Sequence, residues 1–242
     1  MYILALDTTT PTASAAVWND GALQGQYTIQ TTTHSTTILP MIESLLANLS
    51  LEIPDIDAMA VSAGPGSFTG VRIGVATLKG LAFSHQISCI GVSSLDSLAW
   101  NLSGFKGILC PVINARRGHV YTAQYSSDGI HPPKRLTQDD LVPAAELAEI
   151  LKTYGETVYA AGDGYAMLQN AMTDTVLAET PEILRYPSGF STACAAAALY
   201  QNAPDPSVFT EAALSPIYLR KSQAEREREE RLAKEESAHK GE

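Results

Sequence analysis

The run Ser62-Ala63-Gly64-Pro65-Gly66-Ser67-Phe68-Thr69-Gly70-Val71-Arg72-Ile73-Gly74 constrains this chain more than any other segment. It follows an apolar stretch, Ala58-Met59-Ala60-Val61, that reads as a buried strand, and it continues at helical spacing through Lys79-Gly80-Leu81-Ala82. Gly64-Pro65-Gly66 dictates a turn, because glycine tolerates positive φ and proline fixes its own. Ser67 stands where a helix N-cap belongs. Gly70, Gly74 and Gly80 then fall inside the helix, each at a cost of about 1 kcal/mol against alanine. Three such residues imply that another backbone comes close, either within the fold or on a second subunit.

The order of elements around this segment gives the fold class. Residues 2–7, 12–19 and 22–29 read as three strands, with Asn19-Asp20-Gly21 as a hairpin turn. His34-Ser35 begins a helix whose apolar positions are Ile38, Leu39, Ile42, Leu45, Leu46 and Leu49, with Pro40 tolerated in its first turns. Strands at 57–63 and 87–92 follow, then a short helix from Ser93 to Trp100. Three antiparallel strands and then alternating strands and helices indicate an α/β fold with a mixed sheet.

A second unit begins near Phe105. Strands at 108–113 and 119–125 flank the turn Ala115-Arg116-Arg117-Gly118; a helix at 143–154, a strand at 157–161, the turn Gly162-Asp163-Gly164 leading into another helix, and an alanine-rich helix at 192–200 complete it. The expected division is residues 1–104, residues 105–220, and a charged tail, 221–242, helical or disordered.

Charge excludes one class of activity. The net charge is −10. Beyond Arg220 there are six basic and seven acidic residues, so ten basic and nineteen acidic residues lie up to that point. A body this acidic is a poor nucleic-acid binder by itself. Cys89, Cys110 and Cys194 are isolated among apolar residues and read as reduced core thiols of a cytoplasmic protein. The N-terminus lacks a basic leader, and no apolar run is long enough to span a bilayer.

Four local features bear on chemistry. Leu6-Asp7-Thr8-Thr9-Thr10 is a strand entering a hydroxyl-rich turn, where actin-like ATPases and sugar kinases place a phosphate loop. Thr9 occupies the position at which those loops use glycine, so a hairpin with Asp7 bonding backbone amides and a vestigial nucleotide loop of Asp7, Thr8 and Thr9 both stand as readings. Gly162 and Gly164 fit either an adenosine-side loop or a plain turn. Arg116 and Arg117 can clamp an anion or be solvated. The five histidines are scattered, so no helical metal pair exists, and no Gly-x-Ser-x-Gly nucleophile elbow occurs.

Together, Ile3 to Thr10, His34-Ser35 with Leu39-Pro40, the Gly64–Gly74 segment, Asn114-Ala115-Arg116-Arg117-Gly118 with Val120-Tyr121, and Pro216 with Tyr218-Leu219-Arg220 resemble the TsaB (YeaZ) family. Asn114 and His119 depart from it, where Asp and Glu are usual. The resemblance implies two actin-like ATPase (ASKHA, RNase H-like) subdomains, each a mixed sheet with flanking helices. It further implies a non-catalytic partner of TsaD, with TsaE as a third component, in forming threonylcarbamoyladenosine beside the tRNA anticodon. On that reading tRNA is met only through the complex, the isolated chain is a homodimer, there is no catalytic or metal site, and ATP or ADP binds only with partners. The rival classes are an active ATPase or kinase of this fold and a glycoprotease-like peptidase. The resemblance places the partner surface on the helices that begin at His34 and Ser67, with His34, Ile38, Leu39, Ile42, Phe68, Gly70, Val71, Gly74 and Lys79 as interface residues.

Overall fold

The computed structural model describes residues 1–31, 33–172 and 177–220; the tail assigned above to 221–242 lies outside them. In chain order the elements are β1 (Tyr2–Asp7), β2 (Thr12–Asn19), β3 (Ala22–Gln30), α1 (His34–Leu49), β4 (Ala58–Ser62), α2 (Phe68–Phe83), β5 (Ser88–Val92) and α3 (Ser94–Asn101). Then come β6 (Lys106–Asn114), β7 (His119–Thr122), β8 (Tyr125–Asp128), β9 (Lys134–Arg135), β10 (Asp140–Pro143), α4 (Ala144–Lys152), β11 (Val158–Ala161), α5 (Tyr165–Ala171), β12 (Leu177–Ala178) and α6 (Gly189–Asn202).

The first sheet has the order β3-β2-β1-β4-β5. Its β1–β2–β3 meander is antiparallel, while β4 runs parallel to both β1 and β5. Asp20 and Gly21 both take positive φ, 47° and 92°, which is the turn chemistry a two-residue hairpin needs. The second sheet has the order β10-β7-β6-β11-β12, and β8 pairs with β6 and β9. The strand expected at 119–125 is interrupted. β7 and β8 keep one register along β6, with Val112 opposite Thr122 and Leu109 opposite Tyr125, but the ladder lapses at Cys110-Pro111. Pro111 has no N–H to donate there.

Every residue of β4, and all of β1 after Tyr2, is buried, so the first sheet is covered on both faces. On one face, Leu4, Leu6, Met59 and Val61 pack against Ile38 and Ile42 of α1 and Val71, Val75 and Leu78 of α2. On the other, Ile3, Ala5, Ala58, Ala60, Ile90 and Val92 meet Ala193, Ala195, Ala196 and Ala197 of α6. Small side chains let this helix lie close; a Cβ on Gly189 would come within 2.7 Å of the Ala16 amide nitrogen.

That packing departs from the expected single unit of residues 105–220. Residues 189–220 return to the first sheet, because its second face needs a cover that residues 1–104 do not supply. The segment after α6 extends the return: Cys89 N–H donates to the Phe209 carbonyl, Ile217 N–H donates to the Ala63 carbonyl, and Leu214 joins the α1/α2 core. The second sheet keeps its own core, in which Ile108, Val112 and Val158 pack against Leu147 and Leu151 of α4 and Leu168 of α5. Between the sheets, Leu95, Leu98 and Ala99 of α3 pack on Leu109, Ile113 and Tyr125. Arg135 ties the same corner, donating to Asp96 at 2.7 Å and Asp139 at 2.5 Å, while Ser93 donates to Asp139.

Candidate functional site

β1 delivers Asp7 to the end of the first sheet. Asp7 Oδ1 accepts from both the N–H and the hydroxyl of Thr9, at 2.9 and 2.8 Å. Burial raises the carboxyl above the usual carboxylate range, against the opposing influence of the Ser62 hydroxyl and the Thr9 hydrogen bonds. The turn that follows is closed to solvent: Thr8, Thr9 and Thr10 are 0%, 1% and 3% exposed. The Thr9 carbonyl accepts from Ser67 N–H at 2.7 Å, and the Thr10 carbonyl is held by His34 Nε2 at 2.8 Å. Thr12 N–H donates to the Thr10 hydroxyl. The amides of Thr9 and Thr12 are therefore committed within the protein.

The glycine-rich segment folds over this turn. Ser67 caps α2 by accepting from Gly70 N–H. Thr8 donates its hydroxyl to the Gly70 carbonyl at 2.8 Å. A Cβ on Gly70 would overlap the Thr8 carbonyl, and one on Gly74 would stand 2.5 Å from Thr8 Oγ1 and 3.1 Å from Val61 Cγ2. Gly66 faces the Thr9 carbonyl in the same way. The close neighbour that these glycines require is thus the Thr8-Thr9 turn after β1 of the same chain, with Val61 of β4 also beside Gly74. Gly70 and Gly74 do not form an outward strip for a second molecule, which corrects that expectation. Gly80 meets open space.

Burial redistributes the remaining interface candidates. His34, Ile38, Ile42 and Val71 lie inside the subunit, because the apolar stripe of each helix is spent on the sheet. Leu39 is 43% exposed, Phe68 and Lys79 are half-buried, and Phe83 at the far end of α2 is 74% exposed. Lys79 donates to the Leu214 carbonyl at 3.0 Å.

Gly162 and Gly164 are also explained by packing. Gly162 has φ +112° and a Cβ there would overlap the Val112 carbonyl, which accepts from Gly164 N–H at 3.0 Å. Between this turn and the first one lies a cavity of 230 Å³ bordered by Thr10, Thr12, Gln30, Asp163, Tyr165 and Arg185. Arg185 stacks 3.8 Å above the Tyr165 ring and donates to the Thr180 carbonyl. Asp163 accepts from Asn114 N–H.

Arg116 and Arg117 form a tight turn with φ of 64° and 54°, and both side chains are exposed. Arg220 reaches this turn and donates to the Ala115 carbonyl. Two residues earlier, Tyr218 stacks on Phe68 and accepts from Arg72 Nε at 2.8 Å, with the Arg72 guanidinium 3.8 Å above the Phe68 ring. The C-terminal segment therefore joins the glycine-rich turn to the arginine turn. Spacing alone could not show that junction; the aromatic and arginine residues around 217–220 were its only signal. Among the described residues, no group of three or more His, Cys, Asp or Glu is placed to hold a metal, and no helix is long and apolar enough to cross a membrane.

Two mixed sheets with flanking helices, and loops facing each other across a cleft, define an actin-like (ASKHA, RNase H-like) protein. The YeaZ structure from Pseudomonas aeruginosa superimposes with a TM-score of 0.75 at 26% identity, covering 90% of this chain and 99% of that one. A family model described as "TsaD: tRNA N6-adenosine threonylcarbamoyltransferase" matches residues 28–228, and the chain belongs to the TsaB branch of this family. The Bacillus subtilis tRNA threonylcarbamoyladenosine biosynthesis protein TsaB is 35% identical over 178 residues, covering 73% of this chain and 77% of that protein. The Escherichia coli TsaB is 42% identical over 131 residues, which span 53% of this chain and 56% of that protein's length.

Proposed function

We propose that this chain is a non-catalytic partner of a TsaD-like threonylcarbamoyltransferase, needed for the transfer of the threonylcarbamoyl group to tRNA. TsaE is the expected third component. The partner half of the reading rests on membership of the TsaB branch. The non-catalytic half is carried by the closed first turn. A phosphate loop works by offering backbone amides to the phosphate. Here Thr9 and Thr12 spend theirs on Asp7 and Thr10, and the three threonines are buried. Phosphoryl transfer also needs a positioned metal or cationic donors at the transferred group, and the first turn offers only threonine hydroxyls and a buried carboxyl.

On this reading the isolated chain binds no nucleotide tightly, and ATP or ADP is held only once a partner contributes. The outward faces of α1 and α2, with Leu39, Phe68 and Lys79, form the contact with TsaD and, in its absence, the contact between two copies of this chain. The buried His34, Ile38, Ile42 and Val71 set the positions of these helices without touching the partner. Localisation in the cytoplasm follows from the same assignment.

The test is reconstitution. Purified chain is combined with a TsaD-like protein, a TsaE-like protein, ATP, threonylcarbamoyl-adenylate and unmodified tRNA. Complex formation is read by size-exclusion chromatography with light scattering, and modified nucleoside by mass spectrometry. The expected result is a stable complex, modification only when this chain is present, and no ATP hydrolysis by the chain alone. Steady hydrolysis by the isolated chain, abolished by Asp7→Ala, would instead establish an active ATPase.

A further inference from the structure

Up to and including Arg220 the acidic body carries ten basic residues, and they are unevenly placed. Arg72, Lys79, Arg116, Arg117 and Arg220 make up half of the ten, and all five lie along the path of the C-terminal segment. None of them forms an ion pair among the described residues, whereas Arg135 and Lys152 do.

Two of these guanidinium groups are held in place. Arg72 is fixed by its Nε bond to Tyr218 and its stacking on Phe68, which leaves both of its Nη groups unpartnered among the described residues. Arg220 is fixed by one Nη1 bond to Ala115. Arg116 and Arg117 project from the adjoining turn, whose Arg116 N–H is anchored on Asn114 Oδ1. Asp163 is the carboxylate bonded to this turn, and it accepts from the Asn114 N–H rather than from an arginine. Planar donors held in advance and left without carboxylates suit bidentate binding of phosphate oxygens.

We propose that Arg72, Arg116, Arg117 and Arg220 form a contact strip for the phosphate backbone of RNA, used when a partner holds the RNA against this chain. The proposal rests on the function proposed above and adds a direct RNA contact to it. The acidic remainder of the body repels a polyanion, so the strip is too weak to capture RNA alone at physiological salt. It acts once the RNA is already held nearby.

The test uses the complex with a TsaD-like protein and an unmodified tRNA, titrated by fluorescence anisotropy over a series of potassium chloride concentrations. The variant is Arg116→Gln/Arg117→Gln/Arg220→Gln, which leaves the packed Arg72 untouched. Each lost phosphate contact lowers the slope of log affinity against log salt by about 0.7–0.9, so the triple variant loses roughly 2–3 from the slope. Size-exclusion chromatography of the same sample shows whether the complex still forms. An intact complex with unchanged affinity and slope would overturn the proposal. So would a folded variant that no longer joins its partner while RNA binding by the partner is unchanged, because the strip would then serve a protein contact. If the wild-type chain forms no complex at all, the proposed function fails first. The chain alone, titrated with the same tRNA at low salt, then decides the strip: loss of binding in the variant supports it, and equal binding or none refutes it.

Discussion

Gly70→Ala and Gly80→Ala make the same chemical change on one helix, and the structure assigns them opposite signs. At Gly80 the added methyl meets open space. Only the helix preference remains, so the variant gains up to about 1 kcal/mol. At Gly70 the methyl would overlap the Thr8 carbonyl, a backbone atom that cannot rotate away. Either α2 moves outward or the β1–β2 turn yields. Overpacking of this kind costs about 1–3 kcal/mol. The displacement also endangers the 2.8 Å bond from Thr8 to the Gly70 carbonyl, for roughly another 1 kcal/mol. After the helix-preference gain is set against these losses, Gly70→Ala is less stable by about 1–3 kcal/mol. For a chain of this size that lowers the thermal midpoint by roughly 2–12 °C, while Gly80→Ala raises it by about 2–4 °C. Urea unfolding followed by circular dichroism measures both variants against wild type. A Gly70→Ala protein as stable as wild type that no longer binds its partner would refute the internal-contact reasoning and return these glycines to an interface.

Three further outcomes follow from the same geometry. Burial raises the folded pKa of Asp7, so the folded state keeps a proton that the unfolded state has lost, and wild-type stability falls as pH rises above the ordinary carboxylate value near 3.9. Asp7→Asn removes this dependence, and its stability relative to wild type should increase with pH; parallel urea midpoints across pH 4 to 8 would contradict it. Thr8→Val keeps the shape but loses the bond to the Gly70 carbonyl, and chemical denaturation should show a loss of about 0.5–1.5 kcal/mol. Arg135→Met leaves Asp96 and Asp139 without their cation; partial exposure holds the expected loss to about 1–2 kcal/mol, and a variant as stable as wild type would show that the pair contributes nothing.

Local structure was readable where one rule decided it. The hairpin at Asp20-Gly21 and the cap at Ser67 each follow from neighbouring residues, and the structure has both; α1 buries the expected Ile38, Ile42, Leu45 and Leu46, but Met41 takes the inward place expected of Leu39. What escaped depended on contacts between distant segments. Helical spacing identifies Gly70 and Gly74 as needing a close neighbour but cannot name Thr8. The alanine-rich α6 is buried on several sides and carries no single apolar stripe, so nothing in its sequence says which sheet it covers. The segment from Phe209 to Arg220 has neither helical nor strand period. Its position is set by backbone bonds to Cys89 and Ala63, which side-chain pattern does not record, and by the Arg220 guanidinium donating to the Ala115 carbonyl. The site suffered most, because it is built from turns that approach one another across the chain.

The return of α6 also has a consequence for the order in which the protein can be made. Ile3, Ala5, Ala58, Ala60, Ile90 and Val92 leave the ribosome early, but the helix that covers them is among the last elements to emerge. At roughly 5–20 residues per second, and with about a hundred residues between β5 and α6, that face waits on the order of 5–20 s for its cover. During that time the nascent chain holds a half-finished sheet whose apolar side is open to other molecules, so the last helix serves the newly made chain as a late-arriving shield as much as it serves the finished fold.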